Sequence, residues 1–184
     1  MQHLLNVPNM LTLARIIMTP IIVYMVLSNQ PWLALALMVI AGITDMLDGA
    51  IARYFNMRTT VGAYLDPLAD KIMLISLFVT LFIVGQVPLF VFLAIIFRDL
   101  IIVLGAVTYE IITHRLTMQP SFISKATTFI QIVYVVLLLL NMAIVIPVIL
   151  LQIALWLTFG LTCASGLHYL ISWTSKASKQ ETKP

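Results

Sequence analysis

Charged side chains are scarce in this chain. Ten Lys and Arg and seven Asp and Glu stand among 184 residues, so 9% of the chain is charged and 62% is hydrophobic. With a mean hydropathy of +1.10, that balance excludes an ordinary soluble domain. There is one cysteine, Cys163, set in an apolar run, so neither a disulfide framework nor a cysteine metal site is expected. The net charge of +3 suits a membrane protein with its basic loops on one side and gives no reason to expect a nucleic-acid partner. No basic segment precedes a short apolar core at the N-terminus, so neither a cleaved signal nor a transit peptide is expected.

What is present is a succession of long apolar runs. They predict an all-α integral membrane protein, a bundle of six transmembrane helices over about Met10–Leu27, Trp32–Tyr54, Thr60–Val84, Leu89–Ile112, Phe122–Asn141 and Ile146–Trp173. Residues 1–173 read as one membrane domain. Residues 174–184 read as a polar, Lys-rich, disordered tail suited to anionic headgroups.

The joins Ser28–Pro31, Gly85–Pro88 and Asn141–Pro147 carry no charge, whereas Arg53, Arg58, Arg115, Lys176, Lys179 and Lys183 gather at the opposite ends. That bias places both termini in the cytoplasm, with the bacterial inner membrane as the expected location. Arg15, Lys71, Glu110 and Lys125 lie toward the same end of their helices. A polar cavity open to the cytoplasm is therefore expected.

Four of the seven acidic residues fall between Asp45 and Asp70. Asp45 and Asp48 are three apart and Asp66 and Asp70 four apart, so each pair shares one helical face. Carboxylates at membrane depth are costly unless compensated, and they mark a functional site. Oxygen donors without Cys or His nearby favour two Mg²⁺ or Mn²⁺ ions over Zn²⁺. Such a pair, roughly 3.5–4 Å apart, suits in-line phosphoryl transfer. Gly49 and Ala52 share the Asp45/Asp48 stripe and leave room for a ligand, while Arg53 can clamp a phosphate. Asn9, Thr12 and Arg15 form a stripe on the first helix, read either as a snorkelling Arg or as a cavity wall facing anionic substrate. Ser121, Ser124, Lys125, Thr128 and Gln131 make a hydrophilic stripe at the opening of the fifth helix, expected to face the cavity. Arg98 and Asp99 are adjacent, so each is expected to find a partner elsewhere, as an interhelical tie rather than a catalytic pair.

Asp45-x2-Asp48-Gly49-x2-Ala52-Arg53-x8-Gly62-x3-Asp66-x3-Asp70 resembles the signature of the CDP-alcohol phosphotransferases, with all eight fixed positions filled. The resemblance implies a six-helix membrane enzyme, a homodimer, that joins an alcohol to the phosphatidyl group of CDP-diacylglycerol and releases CMP. It further implies that Asp45, Asp48, Asp66 and Asp70 ligate metal and that Asp70 is also the general base. Asp48, Gly49, Ala52, Arg53, Gly62 and Asp66 would form the CDP site. Asn9, Thr12, Arg15, Arg98, Arg115, Ser124 and Lys125 are the candidates for binding acceptor or phosphate.

Residues 9–15 are similar to both phosphatidylglycerophosphate synthases and eukaryotic-type cardiolipin synthases. Phe97-Arg98-Asp99 and the run from Pro120 to Thr128 look more like the latter. Thr127 stands where the former carry a second Lys, and one cation fewer fits phosphatidylglycerol better than glycerol-3-phosphate. Phosphatidylglycerol, giving cardiolipin, is thus the expected acceptor, and glycerol-3-phosphate the alternative. A cation or proton transporter built on the acidic cluster is the reading from another class. It leaves Arg53 and the two glycines without a purpose. Purely structural salt bridges are a third reading, for which cations near the four acids look too few.

Overall fold

The computed structural model describes residues 7–54, 60–113 and 122–181, with side chains placed over 12–45, 68–105 and 122–171. Its regular structure is six helices: α1 (Val7–Leu27), α2 (Pro31–Tyr54), α3 (Thr60–Ile83), α4 (Leu89–Thr113), α5 (Phe122–Ala143) and α6 (Val148–Glu181). The apolar runs locate all six to within a few residues, except the end of α6. There the tail expected to be disordered continues as helix to Glu181. The segment from Thr174 to Glu181 holds no Gly or Pro, and its Lys, Ala, Gln and Glu favour helix, so nothing in it stops the preceding turns.

Two uncharged joins end their helices in the same way. Asn29 takes a left-handed φ of 56° after α1, and Gly85 a φ of 75° after α3. After α1, the N–H groups of Asn29 and Gln30 donate to the carbonyls of Val26 and Met25. After α3, those of Gly85 and Gln86 donate to Phe82 and Leu81. Each set satisfies carbonyls that a helix end would otherwise leave open, which matters most where water is scarce. Pro31 then occupies the first position of α2, where its missing N–H costs nothing.

The chain divides into two compact units. The first holds Met1–Gln86 with Val135–Ile146. Within it α1 packs against both α2 and α3, through buried Ile22 and Val26, Ala34, Met38 and Ala41, and Leu74, Leu77, Phe78 and Leu81. These recur at three- and four-residue steps, and the two alanines let backbones approach closely.

The second unit holds Val87–Tyr134 with Pro147–Pro184. There α4 packs against α6, and Phe90 meets Phe159 edge to face with ring centroids 5.2 Å apart. Outer faces carry exposed Ile17, Tyr24, Phe97, Leu104, Phe129 and Trp156. So much uncovered apolar surface belongs to a protein solvated by lipid. Among the described residues, α5 and Val148–Ile171 of α6 are long and apolar enough to cross a membrane.

The turn chemistry yields a contrast. Gly85→Ala forces a methyl-bearing residue into the left-handed region and is expected to lower stability by about 1–2 kcal/mol. Gly42→Ala, in a helix with open space around the added methyl, is expected to raise it by up to about 1 kcal/mol. Thermal unfolding of the two variants in the same detergent measures both.

Candidate functional site

The acidic cluster is organised from α1. Arg15 is buried, and its guanidinium forks across two carboxylates on different helices. Nη1 donates to Oδ1 of Asp70 on α3, and Nη2 to Oδ1 of Asp45 on α2. The helix beneath it has a broken hydrogen-bond ladder. Pro20 lies inside α1 and offers no N–H to the carbonyl four residues back. Just before it, the Thr19 hydroxyl donates to the Arg15 carbonyl at 3.0 Å.

Asp45 and Asp70 come from the two halves of the acidic motif, 25 residues apart in number, yet meet around one positive group. Their side chains are 38% and 51% exposed while that of Arg15 is 2% exposed. The point is therefore open on the carboxylate side and closed behind the guanidinium. Two hard oxygen donors converging from two helices fit a hard divalent cation such as Mg²⁺ or Mn²⁺. Among the described residues no three acidic, His or Cys side chains come together. The side chains of Asn9, Asp48, Gly49, Ala52, Arg53, Gly62 and Asp66, and the whole of Arg115, lie outside the described residues. Thr12 is buried on α1, one turn before Arg15. The sequence reading gave Arg15 an anionic substrate to face; in the structure Asp45 and Asp70 take up its guanidinium. That pairing also supplies one of the cations that seemed missing near the acids.

In the second unit a different polar cluster joins three helices. Arg98 of α4 is 3% exposed. Its Nη1 donates to Oδ1 of Asp99 at 2.6 Å, its Nη2 to Oγ of Ser124 on α5 at 2.7 Å, and its Nε to Oγ of Ser165 on α6 at 3.2 Å. Arg98 finds partners elsewhere as expected, but against expectation it also pairs with its neighbour Asp99. The Arg side chain is long enough to curl around the helix to the next residue's carboxylate. The interhelical tie is made with the two serines instead. Ser165 had drawn no role from the sequence; its placement three residues after Thr162 on a buried stripe was the available signal.

Two residues of the polar stripe of α5, Ser124 and Gln131, are buried, as is Thr127 beside them, while Thr128 is half-buried. The Thr127 hydroxyl lies 2.8 Å from the Ile123 carbonyl and 3.1 Å from that of Leu161 on α6. Gln131 Nε2 donates to Thr162 Oγ1 of α6 at 3.3 Å. Position 127 thus faces a helix contact, and a Lys-to-Thr difference there says nothing about the charge of an acceptor. Lys125, next to this seam, is exposed.

Comparison with known proteins decides the family. The family of CDP-alcohol phosphatidyltransferases matches residues 5–164. The chain belongs to that family. It is 34% identical over 146 residues to the CMP-forming cardiolipin synthase of Homo sapiens, covering 71% of this chain and 48% of that protein. The CMP-forming cardiolipin synthase of Rattus norvegicus is 32% identical over 146 residues, again covering 71% of this chain and 48% of the relative. This chain thus spans about half the length of these animal relatives. It is 35% identical over 179 residues to the CDP-diacylglycerol–glycerol-3-phosphate 3-phosphatidyltransferase of Aquifex aeolicus, covering 95% of this chain and 96% of that protein.

The Arg98 cluster makes a prediction about stability. Arg98→Leu leaves the Asp99 carboxylate buried without its guanidinium and is expected to cost about 3–5 kcal/mol. Replacing both by Leu removes the buried carboxylate as well and is expected to cost clearly less. Thermal denaturation of the single and double variants in detergent checks the order.

Proposed function

We propose that the protein transfers the phosphatidyl group of CDP-diacylglycerol to the hydroxyl of a glycerol-type acceptor and releases CMP. The observation that carries this reading is the meeting of Asp45 and Asp70 at one half-exposed point in a chain of this family. Asp45, Asp48, Asp66 and Asp70 would hold two divalent cations, Mg²⁺ or Mn²⁺. When bound, such ions neutralise the diphosphate and the charge that develops on it during transfer.

The chain's own groups do the rest. Asp70 accepts the proton of the acceptor hydroxyl as that oxygen bonds to phosphorus. The phosphorus–oxygen bond to CMP breaks, and CMP departs with the bonding electrons. Arg53 grips a phosphate through two parallel N–H donors. Asp48, Gly49, Ala52, Gly62 and Asp66 shape the space for CDP. Asn9, Thr12, Arg15, Arg115, Ser124, Lys125 and Arg98 are the residues assigned to the acceptor side. Of these, Arg98 and Ser124 already engage each other.

Phosphatidylglycerol is the acceptor we favour, with cardiolipin as product. The run Phe97-Arg98-Asp99 and the similarity to cardiolipin synthases support it. A specific observation favours a second reading, glycerol-3-phosphate: the Aquifex aeolicus relative named for that acceptor matches along nearly its whole length. We place the protein in the bacterial inner membrane as a homodimer. Six spans, both termini in the cytoplasm and a cavity open on that side complete this reading. Residues 1–173 form the membrane domain and 174–184 a tail near anionic lipids.

Purified protein in mixed micelles with CDP-diacylglycerol and each acceptor in turn tests this. CMP release with cardiolipin formed from phosphatidylglycerol is the expected result; product from glycerol-3-phosphate alone selects the second reading. Cation flux in proteoliposomes without CMP release would select a transporter instead. Chelation with EDTA is expected to abolish turnover and Mg²⁺ to restore it. Asp70→Asn is expected to lower kcat by about 10²–10⁴-fold, the usual contribution of a general base, with little change in KM for the CDP-lipid.

A further inference from the structure

Arg15 has a geometry that the transfer reaction leaves unexplained. It lies behind Asp45 and Asp70, nearly fully buried, while both carboxylates reach the open side. One terminal nitrogen is spent on each. Its third donor, Nε, is buried and has no hydrogen-bond partner. Leaving such a donor unmade costs free energy. The two oxygens that Arg15 engages belong to the same carboxylates that the family signature offers to a metal. A guanidinium and a divalent cation repel one another at this range, most of all where water is excluded.

We propose that Arg15 is an exchangeable counter-ion of the acidic site. It neutralises Asp45 and Asp70 when no divalent cation is bound, and it leaves at least one of them when the cation enters. This role rests on the metal-dependent transfer proposed above and adds a competition to it. Positive charge is supplied to the site in turn by the protein and by the ion, so the site never stands bare among apolar helices. By linkage, the free energy lost in breaking the Arg15–carboxylate contacts is subtracted from the ion's affinity. Release also returns the Nη donors, beside the buried Nε, to any phosphate arriving at the open side.

Mn²⁺ binding by the purified full chain, without lipid substrate, separates exchange from a structural role. Free Mn²⁺ is read from its paramagnetic resonance signal. Arg15→Gln removes the competitor and is expected to bind Mn²⁺ about tenfold tighter than wild type, within the usual span of coupling between linked sites. A strut role predicts the reverse, because loosening α1 would spread the carboxylates. In chelator Arg15→Gln is expected to melt below wild type, and Mn²⁺ to raise its Tm by more than it raises that of wild type.

Should Arg15→Gln fail to fold, Arg15→Lys carries the test. A point-like ammonium cannot bridge both carboxylates as the planar fork does, so Mn²⁺ is expected to bind about threefold tighter, still a measurable gain. Affinity unchanged or lowered in the variant that folds overturns the exchange. Absence of Mn²⁺ binding in wild type and variants alike sinks the metal-dependent reading itself, and the exchange with it.

Discussion

Everything in the first unit depends on how a group of like charges is kept among apolar helices. Carboxylates set in lipid-facing sequence repel one another and lose hydration, and the fold can keep them only by bringing positive charge to them. Here one guanidinium reaches two of the acids from a third helix. That requirement gives α1 its position. It must pack on α2 and α3 together, with small residues such as Ala34 and Ala41 on the facing side, or the fork of Arg15 cannot span from Asp45 to Asp70.

The second unit meets the same problem and solves it to a different end. Arg98 and Asp99 are both buried and pair with one another, and two serines from α5 and α6 take up further donors. Both partners are buried, and neither side chain is open to the outside. The contrast in exposure between the two clusters separates a site from a fastening more clearly than the residue types do. Both contain one Arg and neighbouring Asp.

Much of this was legible in the chain itself. Six helices follow from the apolar runs, and the uncharged joins mark the ends of several of them. The acidic motif names its family because eight residues at fixed spacings are rarely filled by chance. Which way a polar helical stripe turns is harder to read. Ser124 and Gln131 belong to a stripe with the spacing of a cavity wall, but the same spacing serves a hydrogen-bonded seam, since in lipid both are shelters from hydrocarbon. Gln131 donates to the Thr162 hydroxyl of α6 on such a seam, while Lys125 of the same stripe is exposed. Arg98 and Asp99 mislead for a related reason. Rules of spacing are written for Cβ directions, and a side chain as long as Arg escapes them.

The acceptor is where this distinction bears hardest. The signature is what the members of the family share, so it carries no information about the second substrate. That information has to lie on polar residues outside the signature. Thr127 is removed from that set by its burial against α6. Ser124 is tied to Arg98, and Arg98 already donates to three partners. Among the described acceptor candidates in the second unit, Lys125 is the exposed cation. A single mobile ammonium can meet the lone negative charge of a phosphodiester, whereas a dianionic phosphate monoester asks for more than one.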